Sequence, residues 1–127
     1  MVANILTVKH RENVHLDPQK LSELYSQLGE TSAEDVVCRA IEELAVRLTH
    51  CERLWRQNDV ENLRKSARSL IAISEQIGMM AMANIARDVT GAIDADDSPA
   101  VAATLFRLIR VGESSLTAVW EQHDLTV

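Results

Sequence analysis

Residues 58–79 read NDVENLRKSARSLIAISEQIGM. Within them Val60, Leu63, Ala67, Leu70, Ser74 and Ile77 recur at steps of 3, 4, 3, 4 and 3. That spacing lines up one side of an α-helix and marks the side that is buried. Asn58 or Asp59 is placed to cap its start, and Gly78 to end or kink it. Arg68 falls about 130° round the helix from the centre of the apolar stripe. It shares the outward face with Glu61, Arg64, Lys65, Ala72 and Glu75, and Ile71 is expected exposed beside it.

The same periodicity extends in both directions. Upstream, LDPQKLSELYSQLGE (residues 16–30) offers Asp17 as an N-cap and Pro18 at the first helical position, where a missing N–H costs nothing. Leu21, Leu24, Tyr25 and Leu28 form its stripe, and Gly29 stops it. TSAE then supplies a capping box, Thr31 with Glu34. From there Val37, Ile41, Leu44, Leu48, Cys51 and Trp55 run at steps of 4, 3, 4, 3 and 4. Downstream, Met82, Ile85, Ala86, Val89 and Ile93 mark another helix. DADDSP breaks it, with Ser98 as cap and Pro99 at the first helical position. Val101, Leu105, Leu108, Ile109, Gly112, Leu116, Val119 and Trp120 mark the last.

These stripes predict a short helix over 18–28 and long ones over about 33–57, 59–77, 79–94 and 99–123. Short breaks make neighbouring helices run antiparallel. An up-down four-helix bundle buries all four long stripes together, with the short helix packed across it. The expected fold class is therefore all-α, a single domain over residues 17–127. Residues 1–16 lack a clean period. The alternation in NILTV suggests a short extended or irregular arm.

Composition agrees. The chain has 127 residues, enough for one domain, with 46% hydrophobic and 25% charged residues. Only 3% are aromatic, and four glycines and two prolines occur, which favours long helices over sheet. A formal net charge of -6 repels phosphate backbones and anionic membranes, so neither nucleic acid nor membrane is an expected partner. No apolar run is long enough to span a bilayer. MVANILTVKHREN lacks the form of a signal peptide, which makes the cytoplasm the expected location. Cys38 and Cys51 lie on one expected helix, about 20 Å apart, too far to bond to each other.

Familiar chemistry is sparse. Bundle di-iron sites need Glu-x-x-His pairs on core helices, and the predicted helices carry none. His10, His15, His50 and His123 are scattered, and His50 falls about 200° from its helix's core stripe, facing solvent. Met79, Met80 and Met82 read as core filling rather than as soft-metal ligands. DADD lacks the spacing and glycine of a calcium loop, and phosphate loops are absent. No cofactor and no metal are expected.

The order of elements from LDPQKLSELYSQLGE to NDVENLRKSARSLIAISEQIGM resembles the histidine-containing phosphotransfer (HPt) domain of bacterial phosphorelays, over about residues 16–123. The likeness is concentrated in Asp59, Ala67, Leu70 and the Ile77–Gly78 pair. In that family an Ala-His-x-Leu-Lys-Gly type motif carries the histidine that passes a phosphoryl group between receiver-domain aspartates. Here Arg68 stands at the histidine position, Ile71 at the lysine and Ala72 at the glycine. Phosphoryl acceptance needs a neutral nitrogen lone pair, which imidazole has with a pKa near about 6.5. A guanidinium stays protonated and has no acceptor.

The resemblance thus implies a non-catalytic, pseudo-HPt module and not an enzyme. Its expected partner is a receiver domain or another signalling protein. The docking surface it implies is Glu61, Arg64, Lys65, Arg68, Ile71, Ala72 and Glu75. Alone on the surface, Arg68 would pair with Glu75 or Glu61; in a docked complex it would reach a carboxylate or aspartyl-phosphate. Two alternatives stand beside this: phosphotransfer through a displaced acceptor, His50, and a helical interaction module unrelated to phosphorelays.

Overall fold

The computed structural model describes the backbone of residues 17–126 and the side chains of residues 17–118. The arm expected over residues 1–16 lies outside the described residues, as do the side chains of Val119, Trp120 and His123. Five α-helices follow one another: α1 Pro18–Leu28, α2 Glu30–Arg56, α3 Val60–Gln76, α4 Met80–Asp94 and α5 Ser98–Thr126. There is no strand among the described residues. Contacts join α2 to α3, α3 to α4, α4 to α5 and α5 back to α2, and α1 packs on α2. The chain folds as an all-helical bundle around one core.

That core is largely the one the stripes mark, except that Val60 and Leu28, each at the end of its helix, are exposed. Val37, Ile41, Leu44, Leu48, Leu63, Ala67, Leu70, Ile85, Val89, Leu105 and Leu116 are all buried in one cluster. Gly112 lets α5 come close to α2 and α4. A Cβ there would stand 2.7 Å from Leu48 Cδ1 and 3.1 Å from Met82 Cε. Trp55, expected on the core stripe, is only half-buried, because it closes the end of the core edge-on against the exposed Phe106 ring, centroids 5.0 Å apart. Met79 and Met82 fill the core, whereas Met80 is exposed: it opens α4 on the outer side.

Helix ends show how the chain turns. Asp17 caps α1 as expected, its side chain accepting from the Gln19 N–H at 3.0 Å. Asp59 caps α3, accepting from the Asn62 N–H at 3.2 Å. The α2–α3, α3–α4 and α4–α5 turns share one design. A residue with positive φ, Asn58, Gly78 or Asp96, follows each helix. Its N–H and the next one bond back to the last free carbonyls, as in Asn58 to Trp55 O and Asp59 to Leu54 O.

Two expected starts are corrected. The Thr31–Glu34 capping box does not form. Gly29, at φ 83° and ψ 165°, turns the chain in a single residue, so α2 already begins at Glu30 and Thr31 lies inside it. That conformation is essentially restricted to glycine. Likewise Ser98 is helical rather than capping. Asp97, directly after the left-handed Asp96, takes the cap, its carboxylate accepting from the Ala100 N–H at 3.1 Å.

Candidate functional site

The outward face of α3 and the adjoining flank of α4 make the candidate site. Leu63, Ser66, Ala67, Leu70 and Ser74 point inward from α3, and the helical period sends Glu61, Lys65, Arg68 and Ala72 outward, where all four are exposed. Arg64, Ile71 and Glu75 sit at the edges and are half-buried. Ile71 therefore departs from the expected exposure. It leans on the core cluster and offers only part of its surface.

Both charged edge residues are tied across to α4. Arg64 Nε donates to Asp94 Oδ1 at 2.7 Å, and its Nη2 approaches Asp94 Oδ2 at 3.4 Å. Hydrogen bonding from Arg64 holds the Asp94 carboxyl below its ordinary value, and the nearby Arg68 charge adds to this. At the far end Arg87 on α4 donates to the Glu75 carboxylate and, at 3.0 Å, to Asn84 Oδ1. The expected pairing of Arg68 with Glu75 or Glu61 is not made. Glu75 is engaged by Arg87, and Arg68 has no hydrogen bond or ion pair among the described residues. The Lys65 ammonium, three residues earlier, likewise has no hydrogen bond or ion pair among the described residues, though its charge bears on Asp59.

The arrangement thus presents two unsatisfied cations between two cross-helix ion pairs. It can donate hydrogen bonds and attract an anion. Neither group can act as a nucleophile, since protonated guanidinium and ammonium have no free lone pair. The α4 half, Asp94 and Arg87, was missed by sequence reasoning. Nothing in a helical period reports which residues of two different helices meet.

Elsewhere the chemistry is plain. His50 is exposed on α2, close enough to Asp59 for its charge to bear on that carboxylate. Asp59 caps α3 nine residues before Arg68, about 13 Å along the helix. Cys38 and Cys51 are both free thiols. Burial pushes each thiol up, and the Ser66 hydroxyl pulls Cys51 part of the way back. No cluster of metal-ligating residues is assembled among the described residues. A shallow groove of about 280 Å³ runs between α2 and α5 over Leu48, Ile109 and Leu116, with Glu52 and Glu113 on its rim. No described helix is long and apolar enough to cross a membrane. Compared with known proteins, the chain matches no family model, no curated sequence and no solved structure.

Proposed function

We propose that this chain is a pseudo-HPt module: an antiparallel up-down four-helix bundle that docks receiver or related signalling domains in the cytoplasm and transfers no phosphoryl group. The observation that carries the reading is Arg68, exposed near the middle of α3 and without a hydrogen bond or ion pair among the described residues. It stands where the resemblance puts a phospho-accepting histidine. Three further features support it. The four long helices pack in a closed cycle, α2–α3–α4–α5. Two of the carboxylates near Arg68, Asp94 and Glu75, are held by Arg64 and Arg87. Ala72, one turn on, is exposed and small enough to let a partner approach.

A planar guanidinium entering an acidic pocket makes two-pronged, charge-assisted hydrogen bonds. Calorimetric titration against receiver domains tests this. Arg68→Ala is expected to weaken binding roughly tenfold to a hundredfold. Arg68→Lys is expected to recover only part, since an ammonium lacks the planar fork. Equal affinities of wild type and Arg68→Ala would remove Arg68 from the interface. With a radiolabelled phosphorylated receiver, no label is expected on this chain. Label that moves to the chain and is lost in His50→Ala would establish phosphotransfer instead.

A further inference from the structure

The seam between α2 and α5 lies across the bundle from the one between α3 and α4. Its floor is the shallow groove over Leu48, Ile109 and Leu116. Two large apolar side chains stand exposed beside it. Val46, 64% exposed, follows the lining residue Ala45, and Phe106, 49% exposed, comes one turn before Ile109. At about 280 Å³ the groove falls below the roughly 300–1,000 Å³ of small-molecule pockets, and such open apolar surface suits a protein contact. Four exposed charges share this face: Glu42 and Arg53 on α2, Arg110 and Glu113 on α5. Helical spacing places them there. Glu42 and Arg53 lie seven before and four after the lining Thr49, Arg110 lies seven before the lining Thr117, and Glu113 is itself on the rim. None of the four side chains has a hydrogen bond or ion pair among the described residues. Glu52 and Arg56, on the same side, are paired with each other.

We propose that this face binds a second copy of the chain, in a two-fold dimer where α2 lies antiparallel to the partner's α2 and α5 antiparallel to the partner's α5. The inference is independent of the docking reading above, because the outward face of α3 stays uncovered.

The placement of charge carries the argument. A two-fold axis crossing a helix sets each residue opposite the one equally far beyond the axis on the partner. On α5, Arg110 and Glu113 are centred between Val111 and Gly112; on α2, Glu42 and Arg53 are centred between Arg47 and Leu48. Those two centres lie at one level, since a Cβ on Gly112 would stand 2.7 Å from Leu48 Cδ1. A single axis there brings Arg110 to the partner's Glu113 and Arg53 to the partner's Glu42, each pair occurring twice by symmetry. The same axis sets Phe106 opposite the partner's Thr117, over the far end of the partner's groove, and Val46 opposite the partner's Thr49. Burial of Phe106 and Val46 supplies the association energy, and the charges fix its direction. With a net charge of -6 on each copy, surfaces without such pairing repel one another.

The test is sedimentation equilibrium of the full chain at concentrations from about 1 to 300 μM, the range of a small, partly polar interface. Wild type is expected to pass from monomer to dimer across it. Val46→Asp is expected to remain monomeric, with unchanged helical circular dichroism and melting temperature showing that it is folded. Arg110→Glu and Glu113→Arg are each expected to weaken self-association at least about tenfold, because like charges then face each other across the axis. An equimolar mixture of those two variants is expected to form the dimer again, since one chain carries negative charge at both positions and the other positive. A wild type that stays monomeric throughout would overturn the inference and leave this face to residues 1–16 of the same chain or to another protein. A dimer that survives Val46→Asp would overturn it as well, as would a mixture that associates no more tightly than the single variants.

Discussion

Ser74 places a hydroxyl inside the core with no hydrogen-bond partner among the described residues. Its backbone carbonyl is used, accepting from the Met79 N–H at 2.8 Å, but the side chain contributes only a desolvated dipole. Ser74→Ala keeps the carbonyl and removes that cost, and alanine is the better helix former. The variant is expected to be more stable by roughly 0.5–2 kcal/mol, read as a higher denaturation midpoint at unchanged slope. A lower midpoint would mean that the hydroxyl is satisfied by a buried water.

Two surface carboxylates set an acid sensitivity of the opposite kind. Asp59 and Asp94 have folded pKa values below the ordinary 3.8, through the Asn62 hydrogen bonds and the Arg64 pair respectively. Their stabilisation is complete above the unfolded value and is lost as pH falls through the depressed folded one. Unfolding midpoints are therefore expected to fall below about pH 4, and to fall less steeply in the Asp59→Asn, Asp94→Asn double variant. Identical acid limbs would show that other groups dominate.

At the scale of elements, the turns decide how the helices follow one another. Asn58, Gly78 and Asp96 occupy equivalent left-handed positions, yet their demands differ. Gly78 lies under the start of α1: its carbonyl accepts the Asp17 N–H at 2.8 Å, and a Cβ would meet Asp17 N and Lys20 Cβ at 3.0 Å. Gly78→Ala combines that crowding with a positive φ, and is expected to cost roughly 1–3 kcal/mol. Asp96 is exposed and carries the same backbone strain without the crowding. Asp96→Gly is expected to be neutral or to add up to about 1 kcal/mol. Melting the two variants side by side checks the contrast. Equal losses would mean that neither the left-handed φ nor the crowding at Gly78 sets the outcome.

For the whole molecule, stability rests on the four long helices. α1 buries no residue completely and is held mainly through Leu21, Leu24 and its tie to Gly78. α3, by contrast, lies between α2 and α4, and Leu70 is fully buried at its centre. Leu70→Ala is expected to cost roughly 2–5 kcal/mol through lost burial and the cavity left behind. A cost under about 1 kcal/mol would mean that the bundle collapses into the space. The outward side of the same helix carries the candidate dock, so core and site are two faces of one periodic stretch.

Much of this was legible in residues 58–79 and the stripes around them. Helical class, the buried set, the outward Arg68 and the solvent-facing His50 all depend on the period of a single helix, which each segment carries in its own residues. The face of α3 that forms half of the candidate site was legible for the same reason. The starts of α2 and α5 were misplaced because Gly29 turns the chain in a single residue and Asp97, after the left-handed Asp96, takes the cap, so each helix begins before the cap signals at Thr31 and Ser98 suggest. The tertiary structure alone decided that Arg64 meets Asp94, that Glu75 meets Arg87 rather than Arg68, and that Ile71 is half covered. Those outcomes depend on how far one helix slides along and rotates against another. That register is settled by packing between segments distant in sequence, and no period within either one encodes it.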